Sequence, residues 1–363
     1  MNHARRLRAL RAQLKQQEVE ALLVTHLADV RYLCGFTGSN AALAITAKRA
    51  VLYTDGRYTL QAKQQVKGAR VAIAVVSALR EACAFLESLE VDHTAFDPEY
   101  TTVAALNVMR SALTDGRHRR SFFQALEKPV LANLRLVKDA DELVMMEKAA
   151  QTGCFLFDQL IPHIHSGVSE VSVAAQLEFA ARNAGAEAMS FETIVASGPR
   201  SALPHGQATA AALPRNGFVT LDFGIILDGY CSDMTRTIFL GNPNRRQRFA
   251  YDAVLEAQEA AVAAVKPGAT CGEVDEAARG VLRKAGLADY FTHSTGHGVG
   301  LEIHEPPRIA AGQKTELVPG MVVTIEPGVY IAGEFGIRIE DMVAVTENGG
   351  KVLTPAPKAM LQL

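Results

Sequence analysis

Acidic side chains interrupt two apolar segments of this sequence in a way that suggests metal binding. In VTLDFGIILDGYCSDMTRTIFL, Asp222 and Asp233 stand in strand-like runs on either side of Asp228-Gly229, a strong hairpin-turn signal. We therefore expect the two carboxylates on facing strands. A buried ionised carboxylate is costly unless a cation or hydrogen-bond donors compensate it. The residues alone leave open whether these aspartates bind metal or are satisfied by the protein.

A second pair of acids repeats this arrangement further along the chain. Glu326 in MVVTIEPGVY and Glu340 in FGIRIEDMVAV lie in apolar strands that a glycine-containing connection separates. Between the two acidic pairs, HSTGHGVGLEIHEPP supplies His293, His297 and His304, and neutral imidazoles are good ligands for manganese, cobalt or zinc. Four carboxylates would carry a charge of about −4, which two divalent cations would neutralise. A dinuclear centre explains the set, although sequence spacing does not bring the strands together.

Other site types are disfavoured by the same sequence. The segment HEPP, from His304, lacks the second histidine of a zinc-protease helix, and its two prolines forbid that helix. GHGVG lacks the strand-to-helix context of a dinucleotide site. The five cysteines lack CxxC spacing and are odd in number, so neither a disulfide framework nor a thiolate site is implied.

Composition limits the partners of the protein. The 37 basic and 39 acidic residues give a net charge of −2, which creates no field for nucleic acid or an anionic membrane surface. No apolar stretch approaches the roughly 18 residues of a membrane-spanning helix, and the basic first residues lead into a helical pattern instead of a secretory signal. We expect a soluble, cytoplasmic protein without nucleic-acid or membrane partners.

The elements that must position the candidate residues form two groups within 363 residues. In the first third, helical patterns alternate with short apolar strands, which predicts an α/β domain. These strands are expected at residues 21–25, 41–46, 50–53 and 71–76. The polar segment 125–138 then links this region to a long helical pattern. We place the domain boundary between residues 127 and 128.

The second domain has an α+β pattern. Its first helix is predicted to begin after Asp139, with Glu142 completing a capping box. The expected apolar face of this helix consists of Val144, Met145, Ala149 and Phe155. Further helices are expected near 169–184 and 245–265, and strands near 217–240 and 321–345. The helix–helix–strand–strand order occurs twice, which would permit two related halves.

Five segments of the second domain together resemble one enzyme family. They are FETIVASGPRSALPHG, LDFGIILDGYCSDMTRT, STGHGVGLEIHEPP, TIEPGVY and GIRIED, and they closely resemble the Xaa-Pro aminopeptidases and Xaa-Pro dipeptidases (prolidases) of the pita-bread metallopeptidases. VRYLCGFTGSN and YTDGRYTLQA extend the resemblance into the first domain. It implies an α/β N-terminal domain of the creatinase type over residues 1–127. It also implies an α+β pita-bread (creatinase/aminopeptidase-like) catalytic domain over residues 128–363.

The resemblance implies a dinuclear metal site. Two divalent ions, with Mn²⁺ expected and Co²⁺ or Zn²⁺ as alternatives, would be bound by Asp222, Asp233, His297, Glu326 and Glu340. Asp233 and Glu340 would bridge both ions. A hydroxide that bridges the metals would attack the scissile carbonyl, and Glu326 would shuttle a proton to the leaving nitrogen of proline.

The resemblance also implies roles for residues around the metals. His205, in PHG, and His304 match histidines that donate hydrogen bonds to the substrate carbonyl or the tetrahedral intermediate. His293 would help to line the proline pocket. Arg338, on the same strand face as Glu340, would pair with a carboxylate of the site or of the substrate.

The activity favoured by the resemblance is that of an Xaa-Pro aminopeptidase of the aminopeptidase P type. GFTGS followed by TDGRY is slightly more similar to that side, and an Xaa-Pro dipeptidase (prolidase) is the alternative. The large first domain and the PHG and HEPP contexts disfavour a methionine aminopeptidase. A metal-free creatinase-like hydrolase or a noncatalytic binding relative is disfavoured because no ligand is missing. The expected partners are a proline-containing peptide substrate and a second copy in a homodimer.

Overall fold

The computed structural model describes residues 1–89, 91–114 and 121–363, which form two compact units. The units comprise Met1–Arg135 and Leu136–Leu363. The sequence placed a boundary at 127/128, whereas the contacts divide the chain after Arg135. The guanidinium of Arg135 lies 2.8 Å from the carboxylate of buried Asp29, which ties this segment to the first unit. Within the described ranges, no helix is both long enough and apolar enough to cross a membrane.

The first unit is an α/β domain, as predicted. Its helices are α1 (His3–Gln16), α2 (Leu27–Cys34), α3 (Thr59–Gln65), α4 (Ala78–Glu87) and α5 (Val103–Ser111), and α6 (Leu131–Leu136) follows them. Its strands are β1 (Ala21–Val24), β2 (Ala42–Thr46), β3 (Ala50–Thr54), β4 (Arg70–Ile73), β5 (Thr94–Phe96) and β6 (Phe123–Ala125). They form one sheet in the order β4-β3-β2-β1-β5-β6, in which β2 is antiparallel to both neighbours and the other pairs are parallel.

The second unit contains two successive sets of helices and strands. The first set is α7 (Ala140–Leu160), α8 (Glu170–Asn183), β7 (Ala188–Met189), β8 (Ile194–Ser197), β9 (Gly217–Phe223), β10 (Ile225–Leu227), β11 (Tyr230–Cys231) and β12 (Met234–Leu240). The second set is α9 (Arg245–Ala264), α10 (Cys271–Lys284), β13 (Gly296–Gly298), β14 (Glu305–Ile309), β15 (Val322–Ile325), β16 (Gly328–Ile331), β17 (Phe335–Arg338), β18 (Asp341–Thr346) and β19 (Gly349–Val352). The repeated helix–helix–strand order agrees with the sequence pattern.

Each helix pair buries an apolar face against strands of the second unit. Helices α7 and α8 share a core with β8, β9 and β12, to which Leu156, Leu177 and Leu221 contribute. Helices α9 and α10 share another core with the sheet β14-β13-β15-β18-β19, to which Val254 and Val323 contribute. The burial of these apolar side chains fixes the strands whose ends carry the candidate metal ligands.

Helix α7 begins as predicted but buries a different face. Asp139 caps the helix and forms a reciprocal capping box with Glu142. The predicted apolar face was wrong in part, because Val144 is 60% exposed and Phe155 is 57% exposed. The buried face instead consists of Glu142, Met146, Ala149, Ala150, Gly153, Leu156, Phe157 and Leu160.

Candidate metal centre

A tight hairpin brings Asp222 and Asp233 to the same end of two paired strands. Asp228 and Gly229 have φ values of 51° and 84°, the left-handed pair that a two-residue type I′ turn requires. Strands β9 and β12 pair antiparallel, with Asp222 opposite Thr235. Asp233 lies directly before β12, two residues from that partner. The facing arrangement predicted from the sequence is therefore present.

The remaining ligand-type side chains stand at breaks in the other sheets. Glu326 directly follows β15, and Glu340 lies in the two-residue break between β17 and β18. His297 lies in the middle of β13, whose next residue, Gly298, pairs with Val323 of β15. His297 therefore lies beside Thr324, two residues before Glu326.

Five predicted ligands converge on one cavity of about 780 Å³. Asp233, His297 and Glu340 each offer a ligand atom within 4.8 Å of the other two. The Nε2 atom of His297 also lies 3.4 Å from Oε1 of Glu326. Asp222 lines the same cavity. The fold thus supplies the convergence that sequence spacing did not show.

The carboxylates of this cluster are strained electrostatically when no cation compensates them. Burial raises the pKa of Asp233 well above its usual range, and the charges of Glu340, Asp222 and Glu326 raise it further. Burial also raises the pKa of Glu340 well above its usual range, with added repulsion from Glu326 and Asp222. Burial raises the pKa of Glu326 to about 7, against the opposing charge of Arg338. Protein groups alone therefore do not neutralise the cluster.

The donor set fits two divalent cations. Among the described residues, none donates a hydrogen bond to the buried Oδ1 atom of Asp222. Such an orphaned carboxylate oxygen is rare unless an ion or a water satisfies it. The cavity wall holds the guanidinium groups of Arg308 and Arg338 against six carboxylates, four of which belong to the ligand set. Carboxylate oxygens with one imidazole nitrogen form a ligand set suited to manganese and related divalent metals.

His297 presents its Nε2 atom as a lone pair to the cluster. Burial lowers the pKa of His297 to about 4, so its ring is neutral near pH 7. Its Nδ1 atom lies 2.9 Å from the carbonyl oxygen of Gly298, which can only accept, so Nδ1 carries the proton. The backbone N–H of His297 donates to Oγ1 of Thr324 at 3.0 Å. The bond to Gly298 fixes the orientation of the ring, and the bond to Thr324 holds its backbone.

Arg338 and His293 belong to one hydrogen-bonded chain on the cavity wall. The guanidinium of Arg338 pairs with Asp222 and donates to the hydroxyl of Tyr330 at 2.6 Å. That hydroxyl lies 2.9 Å from Nε2 of His293, whose Nδ1 atom lies 2.8 Å from the carbonyl of Ser294. Arg338 therefore already holds a site carboxylate, and His293 faces the cavity in a fixed orientation.

His205 and His304 lie on the exposed side of the cavity wall. The rings of His297 and His304 are 4.5 Å apart between centroids and meet edge to face. Burial lowers the pKa of His304, and the charge of His205 lowers it further. A neutral imidazole at this place can donate one N–H to a bound carbonyl. All nine predicted site residues thus line the same cavity.

Several residues at the site were not predicted from the sequence. Thr324 donates to Oε1 of Glu326 at 3.1 Å, and Thr235 donates to Oε2 of Glu340 at 2.6 Å. The signal for Thr324 was its position two residues before Glu326, which puts both on one face of a strand. Other cavity-wall residues were given no role, among them Phe191, Glu192, Ile194, Gln207, Ile303 and Arg308.

Similarity to known proteins agrees with this geometry. Sequence profiles described as "Metallopeptidase family M24" and "Creatinase/Prolidase N-terminal domain" match residues 144–347 and 6–137. An Xaa-Pro dipeptidase of Pyrococcus furiosus is 48% identical over 64% of this chain and 67% of its own length. The crystallised "Xaa-Pro dipeptidase from Bacillus anthracis" is 38% identical over 100% of both chains, with a TM-score of 0.95.

An X-Pro aminopeptidase of known structure, from Thermotoga maritima MSB8, is also similar. It is 34% identical, with a TM-score of 0.88, and the match covers 97% of this chain and all of that one. The N-terminal and catalytic fold classes inferred from the sequence are confirmed by these matches. The chain is a peptidase and belongs to metallopeptidase family M24, in the Xaa-Pro branch with the pita-bread fold.

Proposed function

We propose that this protein is an Xaa-Pro dipeptidase that hydrolyses the bond before proline in dipeptides. The observation that carries the proposal is the convergence of four carboxylates and a neutral imidazole on one cavity. Its volume of about 780 Å³ is in the range of pockets that enclose small ligands. The sequence favoured an aminopeptidase P, but similarity to the two Xaa-Pro dipeptidases favours the dipeptidase.

We propose that Asp222, Asp233, His297, Glu326 and Glu340 bind the metals. When bound, two divalent ions would lower the pKa of a bound water and polarise the scissile carbonyl. Mn²⁺ remains our expectation for their identity because oxygen ligands predominate, with Co²⁺ or Zn²⁺ as alternatives. Removal of bound metal should abolish hydrolysis, and restoration with each ion separately identifies the one that supports turnover.

Glu326 is proposed to transfer the proton. Its carboxylate lines the cavity beside His297, where it can accept a proton from a bound water and release it again. It would take the proton from the attacking water and deliver it to the proline nitrogen as the peptide bond breaks. Protonation makes that nitrogen a better leaving group.

The histidines are proposed to bind the substrate around the scissile bond. His205 and His304 would donate hydrogen bonds to the carbonyl oxygen as negative charge develops on it. His293, fixed by Tyr330, would line the pocket for the proline ring. The apolar side chain of Phe191 on the same cavity wall suits that ring.

Arg308 supplies an argument for dipeptides. Its side chain is exposed, lines the cavity and stands opposite His297 in the pairing of β13 and β14. In the part of the chain that the structure describes, it has no acidic partner, whereas Arg338 is occupied by Asp222. We propose that Arg308 binds the carboxylate of a substrate that ends at proline, because guanidinium groups bind carboxylates in a bidentate manner.

The second candidate is an Xaa-Pro aminopeptidase, which the similarity to the Thermotoga maritima enzyme favours. The deciding experiment compares Ala-Pro, Ala-Pro-Ala and Ala-Ala as substrates with Mn²⁺, Co²⁺ or Zn²⁺. Hydrolysis of Ala-Pro alone supports the dipeptidase, and efficient hydrolysis of Ala-Pro-Ala supports the aminopeptidase. Hydrolysis of neither proline peptide rejects the proline assignment. A protein that binds no divalent metal, and whose Asp233→Ala variant matches the wild type, rejects the two-metal proposal.

We further propose that the enzyme acts in the cytoplasm as a homodimer. The homodimer is expected from the family resemblance, and the cytoplasmic location from the five unpaired cysteines. Light scattering of the purified protein measures the oligomeric state directly.

A further inference from the structure

A buried ion pair lies directly beside the candidate site. The Nζ atom of Lys138 is 3.1 Å from Oε2 of Glu305, and the two side chains are 1% and 4% exposed. Buried charges of this kind are kept only where each has a partner of good geometry. Neither residue is a candidate metal ligand, and the chemistry proposed above uses neither of them. Glu305 nevertheless follows His304 directly in the sequence.

The chain between the two site histidines folds around the carboxylate of Glu305. Oε1 of Glu305 accepts the backbone N–H of Glu302 at 3.1 Å, while Oε2 faces Lys138. A Cβ atom at Gly300 would lie 2.7 Å from both carboxylate oxygens, so the backbone there passes against the charged group. The carbonyl of Gly300 in turn accepts the N–H of Cys231 at 2.8 Å. We name residues 299–304 the histidine loop.

The histidine loop lies between two residues of the site. His297 precedes it in β13, and His304 is its last residue. Gly298 pairs with Glu305, and the register shifts between His297 and Gly298. The contact between the two imidazole rings, 4.5 Å apart, therefore depends on how the loop closes over Glu305.

The backbone around Lys138 is held in place by hydrogen bonds. Its backbone N–H donates to the carbonyl of Gly320 at 2.8 Å, and Asp139 beside it caps α7. Glu142 of the same capping box accepts the hydroxyl of Tyr230 at 3.0 Å. Residues 138–142 thus connect to the histidine loop and to the hairpin that carries Asp233.

We infer that Lys138 is a positioning residue that holds His304 in place through Glu305. The inference rests on the proposed function of His304 as a donor to the substrate carbonyl. Removal of the ammonium group takes away the cation that lies 3.1 Å from Oε2 of Glu305, which weakens the compensation of this buried carboxylate. The histidine loop would then open to hydrate that carboxylate, and His304 would move away from His297. The metal ligands themselves lie outside the loop and should retain their positions.

The test compares Lys138→Met with two matched variants. Lys138→Arg keeps the positive charge, and Lys148→Met removes an exposed lysine of α7 that pairs with Asp228 of the hairpin turn. We expect Lys138→Met to lower kcat for Ala-Pro on the order of 10²-fold, the cost of a misplaced catalytic group. KM and bound metal should stay near wild type. Lys138→Arg should recover most of kcat, and Lys148→Met should match the wild type.

A double variant separates positioning from general destabilisation. If Lys138 acts through His304, then Lys138→Met in a His304→Ala background should lower kcat no further than about twofold. Losses that multiply would overturn the inference. Loss of metal in Lys138→Met, or an equal effect of Lys148→Met, would also overturn it. If Lys138→Met does not fold, Glu305→Gln can replace it, because the amide oxygen of the glutamine still accepts the Glu302 N–H. In a His304→Ala background, Glu305→Gln should likewise lower kcat no further than about twofold.

A measurement without turnover keeps this inference distinct from the proposed function. Nuclear Overhauser contacts in the full chain report the proximity of the His297 and His304 rings. The protein is saturated with diamagnetic Zn²⁺, or is used as purified if it binds no Zn²⁺. We expect these contacts in the wild type, Lys138→Arg and Lys148→Met, and their loss in Lys138→Met or Glu305→Gln. Contacts that persist in the last two variants would overturn the inference, even if the protein hydrolyses no proline peptide.

Discussion

Thr324 connects two candidate ligands through one hydroxyl group. It accepts the backbone N–H of His297 at 3.0 Å and donates to Glu326 at 3.1 Å. Groups that orient metal ligands typically change metal affinity by about 10- to 100-fold when removed. We therefore expect Thr324→Val, which keeps the side-chain shape, to weaken metal binding by about 10- to 100-fold. Titration against a competing chelator measures the effect.

Thr94 offers the control for this substitution. It is fully buried in the first unit, and within the described ranges its hydroxyl has no hydrogen-bond partner. Thr94→Val should leave metal affinity unchanged, because no ligand depends on that hydroxyl. Equal metal affinity in Thr324→Val and the wild type would show that the Thr324 hydroxyl does not orient the ligands.

Substitution of Arg308 tests whether the enzyme recognises the terminal carboxylate of a dipeptide. Loss of a charge-assisted hydrogen bond costs about 1.5–3 kcal/mol, so Arg308→Gln should raise KM for Ala-Pro by at least about tenfold. KM for Ala-Pro amide should not change, since the amide carries no carboxylate. Arg283→Gln, which removes an exposed partner of Glu276, is the control. A similar rise for both substrates would rule out carboxylate recognition by Arg308.

At the scale of elements, the β10–β11 hairpin depends on its turn glycine. Gly229 has φ of 84°, where a Cβ costs about 1–2 kcal/mol, so Gly229→Ala should lower the free energy of unfolding by about that amount. Gly280→Ala is the matched substitution, because Gly280 lies within α10 and its added Cβ would approach only Glu276, at 3.7 Å. That change should stabilise by about 0.5–1 kcal/mol. Urea unfolding of both variants checks the opposite signs, and destabilisation of similar size in both would contradict the turn argument.

The sequence predicted helix starts better than helix faces. The capping box at Asp139 was read from two residues three positions apart, and local hydrogen bonds decide such a feature. The buried face of α7 depends on its packing against α8, β10 and β11, which hydrophobicity alone does not show. Val144 and Phe155 are apolar yet exposed, whereas small Gly153 faces the interior.

Strand ends show the same limit. The run at 71–76 was predicted as one strand, but β4 ends at Ile73. The backbone N–H groups of Val75 and Val76 instead donate to the carboxylate of Glu81 at 2.7 and 3.0 Å. A side chain from α4 thus replaces the strand partner, and apolar alternation carries no information about that contact.

In the candidate site too, some residues were recognisable from the sequence and others were not. Asp222, Asp233, Glu326 and Glu340 were recognisable because each carboxylate interrupts an apolar strand. Their convergence required pairings between strands far apart in sequence, and only family resemblance supplied it in advance. Thr235 was not recognised because its partner, Glu340, is 105 positions away, and Arg308 because nothing in its own segment marks it as unusual.

For the whole molecule, we expect metal removal to lower thermal stability. The carboxylates of the cluster repel each other, and Arg338 compensates them only in part. Ions that bind the folded state alone at 100 times their Kd stabilise it by about 2.7 kcal/mol. Chelation should therefore lower the Tm, and Mn²⁺ should restore it. Asp233→Asn should respond much less to Mn²⁺; an unchanged wild-type Tm would contradict the charge argument.

The metal-free protein should also lose stability as pH rises from about 6.5 to 8. In this window the raised pKa of Glu326, about 7, makes the folded state bind a proton that the unfolded state releases. Asp233 and Glu340, also raised, act in the same direction. The pKa values of His293 and His297 are lowered to about 4, and that of His304 is also lowered. These groups act in the opposite direction, mainly below about pH 7, because their unfolded-state pKa is 6.5. Urea unfolding with chelator at several pH values measures the slope, and a slope of opposite sign would refute the assignment.

The ion pair of Lys138 with Glu305 has a consequence for the order of events during synthesis. The two residues are 167 positions apart, so a ribosome adding about 5–20 residues per second makes Lys138 roughly 8–33 seconds before its partner. During that interval the lysine must stay hydrated, because burial without a counter-charge is unfavourable. We therefore expect the start of the catalytic unit to close around Lys138 only after Glu305 has been translated.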